Sequence, residues 1–294
     1  MESLSRPVRS VKIPLAVAIP DYLRDHRYDG RIVLPAAEAL QVLAKSLPDD
    51  LPGCDICLQE CGEFTHLLPL DADADAFSAF HEMTCSPDGR RLSRLTTLRT
   101  GRRTQWTRSI DHVSVCFLPK KNLQCALPGY GLQRSCTEAM EKEGPSFSFS
   151  CRRLYADLVP FGSAYHNVVG EVCLTPDGAS AEVSGGDFRE AVGPLGSPFP
   201  FDAAMHLACA WGQRYRNCVA FPVGFDRREI VLPTSVGETY RCCVFPLEKE
   251  GAILRFNVWL FGADNRPAEI ILGLRMRDIS GGRLKPPAWV GKGV

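Results

Sequence analysis

The chain has 294 residues, 45% of them hydrophobic, and its 34 lysines and arginines balance 34 aspartates and glutamates. That length allows one large core or two of roughly 130–150 residues each. A neutral chain argues against nucleic acid as the main partner, because phosphate binding needs a net basic surface. No 18-residue apolar run marks a membrane span, and no basic region followed by an apolar run marks a secretory signal. The expectation is a cytoplasmic protein, in which the 13 scattered cysteines pack as small hydrophobes rather than as disulfides.

In chain order, residues 1–12 read as a loose terminus and 11–19 as a first, β-branched strand. Then comes His26-Arg27-Tyr28-Asp29-Gly30-Arg31-Ile32-Val33-Leu34-Pro35. Histidine is the side chain that exchanges a proton near neutral pH. Gly30 lets the backbone turn or approach a ligand without a Cβ, and Pro35 occupies the helix-start position that tolerates its missing N–H. An apolar helix over 36–47 follows, whose free first-turn amides can stabilise an oxyanion.

Strands are predicted over 56–70, 76–85, 92–100 and 104–118, with Ser86-Pro87-Asp88-Gly89 as a turn. Cys54-x-x-Cys57-x-x-x-Cys61 with His66 lacks a second Cys pair, so no metal site is assigned. Residues 119–147 change character and read as a connection, with a short helix over 135–142.

The second half repeats the grammar of the first. An extended run over 148–172 precedes a Pro/Gly-rich approach at 193–200 and a buried helix over 201–216. Strands follow over 228–232, 239–246, 252–261 and 269–279, and 281–294 reads as a tail. No helix separates successive strands, which disfavours a parallel sheet. The expected fold is α+β, with two antiparallel sheets each wrapped around one long buried helix. The halves are residues 1–118 and 148–294, joined by the linker 119–147.

Asp202 and His206 stand at i and i+4 on the otherwise apolar second helix, and so share a face. Asp202 there is either a helix cap or a working acid; a helix N-terminus favours its ionised form and apolar burial its neutral one. If the halves face each other, a histidine before one helix and a carboxyl at the start of the other can meet across a cleft. Elimination of water needs such a pair, a base for the Cα proton and an acid for the β-hydroxyl.

These motifs resemble those of the dehydratase domains of polyketide synthases and polyunsaturated-fatty-acid synthases, a double-hotdog family. The family's H-x-x-x-G-x-x-x-x-P is complete at His26, Gly30 and Pro35, and D-x-x-x-(Q/H) matches Asp202 and His206. A Y-G-P-x-F-like element corresponds to Phe161-Gly162-Ser163-Ala164-Tyr165, and an L-P-V-G-F-like one to Phe221-Pro222-Val223-Gly224-Phe225. The resemblance implies that His26 is the base, that Asp202 donates the proton and that His206 orients it. It places Gly30, Pro35, Ala36, Phe161, Gly162 and Tyr165 around the substrate. The chain departs from the family at Ser197, where a histidine is usual before proline, at Ala36, often glycine, and at Phe161, usually tyrosine.

The function implied is dehydration of a 3-hydroxyacyl thioester on acyl carrier protein to a 2-enoyl thioester, with no cofactor. Other synthase components and a second copy of the chain are the further expected partners. A hotdog thioesterase and a non-catalytic carrier-binding module are the alternatives. An acidic carrier would meet basic residues at the mouth of the site, with Arg24, Arg27, Arg31, Arg275 and Arg277 as candidates.

Overall fold

A computed structural model of the chain describes residues 9–48, 54–100, 107–120, 146–247 and 251–291. It is predominantly β. Strand β1 (Arg9–Ala18) leads to a 3-10 turn at Asp21–Asp25 and a two-residue hairpin, β2 (Arg27–Tyr28) and β3 (Arg31–Ile32). Helix α1 (Ala36–Lys45) follows, then β4 (Cys54–Phe64), β5 (Ala76–Cys85), β6 (Arg91–Thr100) and β7 (Thr107–Pro119). The second half runs β8 (Phe147–Ser150), β9 (Val168–Thr175), β10 (Gly178–Ser184), helix α2 (Phe199–Arg216), β11 (Phe221–Ile230), β12 (Thr239–Pro246), β13 (Leu254–Phe261) and β14 (Pro267–Arg277).

The expectation of two separate sheets is corrected. Twelve strands form one sheet in the order β1-β5-β6-β7-β4-β11-β14-β13-β12-β10-β9-β8. The two halves meet where β4 pairs antiparallel with β11, Gly224 opposite Glu63 and Arg228 opposite Gln59. Each strand would otherwise leave a row of unpaired N–H and C=O groups, and pairing removes both edges at once. Sequence alternation reports which face of a strand is buried, not which strand lies beside it.

Helix α1 packs on β6 and β7, whereas α2 lies against β9 to β13. All of 199–213 on α2 is buried. Its alanines and Gly212 let the neighbouring elements approach closely, and Asn217 ends the helix in the left-handed conformation. Polar contacts tie the halves together. Gln41 of α1 donates to Gly196 O (2.6 Å) and accepts from Leu195 N–H (3.2 Å). Within the second half, Arg228 of β11 and Glu269 of β14 form a buried ion pair (2.6 Å), with the guanidinium 4.3 Å above the Phe201 ring.

Other expectations are also revised. The extended run over 148–172 is broken by a helical turn at Cys151–Arg153 that continues as a π-turn, Leu154–Leu158. Its buried Leu154, Tyr155 and Leu158 have a helical rather than an alternating spacing. Strand β10 was not foreseen, because Gly178, Ala179, Ser180 and Ala181 carry no strong β preference. The tail docks: Val290 is buried, Arg214 of α2 donates to Val290 O (3.0 Å), and Arg153 stacks 3.7 Å from the Trp289 ring. Most of the 119–147 connection, with its expected helix over 135–142, lies outside the described residues.

Candidate active site

His26 stands between the 3-10 turn and β2. Its Nδ1 is 2.8 Å from Val33 O, and its own carbonyl accepts Val33 N–H (3.0 Å). These reciprocal bonds span the β2–β3 hairpin, whose turn residues Asp29 and Gly30 have φ of 52° and 74°. Two consecutive positive φ values make a type I′ turn, the geometry Asp-Gly favours. Gly30 therefore serves the turn that brings Val33 back to His26. It is not among the residues lining the cavity.

A carbonyl can only accept, so Nδ1 carries the proton and Nε2 offers a lone pair. Burial lowers the His26 pKa, with His206 acting the same way and Asp202 and the Val33 bond opposing. The imidazole is thus held as a neutral base. Its ring lies flat on Phe161, centroids 4.3 Å apart at 22°, with Tyr165 tilted 5.0 Å away.

The Phe161 side is clamped to the His26 side by Asp25. Gly162 N–H donates to Asp25 O (2.8 Å) and Ala164 N–H to the Asp25 carboxylate (2.9 Å). A Cβ on Gly162 would fall on the Asp25 side chain, which is why glycine stands there. Tyr165 is buried behind the stack, its hydroxyl pushed well above the usual range by burial.

Asp202 is not a helix cap. The N-cap of α2 is Pro198, and Asp202 N–H donates to its carbonyl (3.1 Å), so Asp202 lies inside the first turn. Ser197 donates to Gly185 O (2.7 Å) while its carbonyl accepts from Thr234 (2.8 Å). Those bonds fix where α2 begins. One turn on, His206 Nε2 lies 3.0 Å from Asp202 Oδ2, both side chains almost fully buried. Burial pulls the Asp202 pKa up, but His206 and His26 together pull it further down, and the net direction is downward. The sequence leaves the ionised and neutral forms open, and the neighbouring histidines favour the ionised one. At 3.0 Å, Oδ2 and Nε2 make a buried close pair on one face of α2.

One cavity of about 410 Å³ is lined by His26, Ala36, Phe161, Asp202 and His206. Of the other expected site residues, Pro35, Gly162 and Tyr165 do not line this cavity, and Gly30 lies in the hairpin turn. Ala36 opens α1, where the first N–H groups have no acceptor within the helix. Of the basic candidates, Arg27 and Arg277 line the cavity, together with Arg283 and Lys285. Arg24 is instead bonded to Ala72 O and Asp21, and Arg275 to Glu63 and Gly62 O.

Sequence reasoning passed over Tyr155. Its hydroxyl lies 3.4 Å from His206 Nδ1 and accepts Val168 N–H (2.7 Å). The buried spacing of Leu154, Tyr155 and Leu158 was the signal that could have found it. The Val33 carbonyl carries no signal, since every residue has one. Cys54, Cys57 and Cys61 all belong to β4, and among the described residues no three His, Cys, Asp or Glu gather to hold a metal. Nor, among them, is any helix long and apolar enough to cross a membrane.

No protein-family model matches the sequence, and no curated protein does. Solved structures do. The dehydratase domain of a mycocerosic acid synthase-like polyketide synthase is 14% identical, with a TM-score of 0.67 over 94% of this chain and 97% of that one. The dehydratase domain of PpsC from Mycobacterium tuberculosis, in a variant form, is 16% identical, with a TM-score of 0.64 over 92% and 93%. The dehydratase domain from the CurF module of the curacin polyketide synthase is 14% identical, with a TM-score of 0.65 over 91% and 93%. What the chain shares with these domains at such identities is their fold, across nearly its full length.

Proposed function

We propose that the protein is a dehydratase, a hydro-lyase that removes water from a 3-hydroxyacyl thioester on acyl carrier protein to give the 2-enoyl thioester. The observation that carries this reading is the meeting of a neutral His26 and the buried Asp202–His206 pair on one cavity. The fold of polyketide synthase dehydratase domains supports it. The fold itself is then a double hotdog with halves 1–118 and 148–294, their sheets joined through β4 and β11.

His26 Nε2 takes the Cα proton, which the thioester carbonyl acidifies. The Cα–H electron pair becomes the new double bond as the Cβ–O bond breaks. The departing hydroxyl takes a proton from the Asp202–His206 pair and leaves as water. The Ala36 amide at the start of α1 steadies charge developing on the thioester oxygen. The His26 proton then returns to the Asp202–His206 pair through the released water. Every proton is handled by these side chains, so the chemistry calls for no cofactor.

Arg27, Arg277, Arg283 and Lys285 give the mouth a basic rim, although Asp29 and Asp157 also line the cavity. The rim suits the phosphate of a carrier-borne arm and the acidic surface of a carrier. Incubation with a 3-hydroxyacyl thioester, followed by mass spectrometry, tests the reading. Loss of water by wild type and its absence in a folded His26→Ala variant are expected. Free acid would instead mean a thioesterase, and an unchanged thioester with tight carrier binding would mean a binding module.

A further inference from the structure

The cavity extends beyond the reacting groups along α2. Asp202, Met205, His206, Cys209 and Gln213 all line it, at a spacing that makes one stripe of the helix. From Asp202 to Gln213 that stripe runs about 16 Å. Its companions along this stretch, Leu158, Val159, Val219 and Ala220, are apolar. Cys209 is a neutral thiol, pushed up to about 11 by burial.

Gln213 is the polar exception. It is 1% exposed, and its amide nitrogen lies 3.0 Å from Leu158 O and 3.4 Å from Cys209 Sγ. The Leu158 carbonyl can only accept, which fixes the orientation of the amide. Both N–H groups are thereby used. What the side chain has left to offer an occupant of the cavity is a carbonyl oxygen, an acceptor. A single acceptor in an apolar wall selects for a donor, because an occupant without one leaves it unpaired.

We infer that Gln213 is a specificity residue and that the acyl tail this cavity takes carries a hydroxyl reaching it. The inference rests on the dehydratase reading for the position of the reacting carbons. A tail ketone brings a second acceptor against Oε1 and is disfavoured, and a plain alkyl tail leaves Oε1 unsatisfied. The substrate class is thus a 3-hydroxyacyl thioester whose chain retains a reduced, hydroxylated carbon far from the thioester. The reactions that supply it must end in ketone reduction at that carbon without removal of the resulting hydroxyl.

Three 3-hydroxyacyl thioesters of equal length, ending in a tail hydroxyl, a tail ketone or a plain alkyl group, test this. Wild type is expected to turn over the hydroxylated one with a kcat/KM about 3- to 10-fold above the other two, the range of one net hydrogen bond. In Gln213→Met, an unbranched replacement without the amide, the three should become equal. Equal turnover by wild type, or a preference that survives in Gln213→Met, overturns the inference while leaving the dehydratase reading intact. Should wild type dehydrate none of the three, the dehydratase reading fails instead. Calorimetric binding of the corresponding tail-hydroxylated and alkyl acyl thioesters lacking the 3-hydroxyl then decides for Gln213 alone. Tighter binding of the hydroxylated ligand by wild type supports it, and equal binding ends it. The wild-type ordering is read first, so the test holds even if the variant does not fold.

Discussion

His206 Nε2 lies 3.0 Å from Asp202 Oδ2, one turn further along a helix whose residues 199–213 are all buried. A carboxylate in such a place is tolerable only with a partner, since burying a lone charge is costly. The two therefore stand as a pair, opposite a histidine whose free nitrogen is a base. His26→Ala and Asp202→Asn should each lower kcat by the ~10²–10⁴-fold typical of general acid–base groups. Because the two act together, the double variant should be little worse than either single one. Rate measurements on variants with unchanged melting temperatures check this; a double variant whose losses multiply would count against the shared cycle.

The electrostatics around His26 give a signed expectation. Asp202 raises its pKa and His206 lowers it. Asp202→Asn should therefore move the His26 titration down, and His206→Ala should move it up, as followed by NMR of the ring. In wild type, protonated His26 cannot accept a proton, and burial puts its pKa under the ordinary 6.5. The acid limb of kcat/KM should accordingly fall away only below that value. A limb above it would show that another group titrates.

Much of this was legible in the chain, and the parts that were not have physical reasons. His26, Asp202 and the two buried helices could be read because a polar side chain in an apolar helix and a His–Gly–Pro spacing are local signals. The joining of β4 to β11 was not, because register between distant strands depends on edges that alternation does not describe. Asp202 reads as a cap or a working acid, ionised or neutral, whereas its state follows from His206 and His26, one of which arrives from 176 positions away in the chain. Gly30 reads as either a turn or a close approach to a ligand, and the positive φ values at Asp29 and Gly30 show the turn.

The sheet of the second half should be brittle where β11 meets β14. Arg228 and Glu269 are 2% and 1% exposed in their side chains, and the Arg228 guanidinium covers Phe201, the neighbour of Asp202. Removing one member leaves the other as an uncompensated buried charge, at a cost of about 3–5 kcal/mol. Glu269→Leu should show that loss in chemical denaturation. Replacing both, as Arg228→Met with Glu269→Leu, should recover most of it, since an apolar pair has no charge to desolvate. If the double replacement is as unstable as the single, the ion pair matters for more than its charge.

Glu38 supplies the last expectation, and its sign is unusual. It sits in the first turn of α1, buried, hydrogen-bonded to Tyr22 and facing Asp202. Burial is the larger influence and pushes its pKa from 4.5 to about 8, with Asp202 adding to the rise and Tyr22 opposing it. Below the unfolded value both states are protonated, and Glu38 has no effect on stability. Between 4.5 and about 8 the unfolded chain releases this proton while the folded protein keeps it. The folded state then binds more protons, so stability falls as pH rises through that window and levels off above it. Near pH 7 the cost is about 3 kcal/mol. Glu38→Gln keeps a polar group for Tyr22 and has no proton to lose. It should be more stable than wild type near neutral pH by up to that amount, and more so toward about pH 8. Near pH 4 the two should unfold together. Denaturant titrations of both proteins across the window measure the difference directly. A gap that does not change with pH would mean that Glu38 titrates in the folded protein as it does in the unfolded chain.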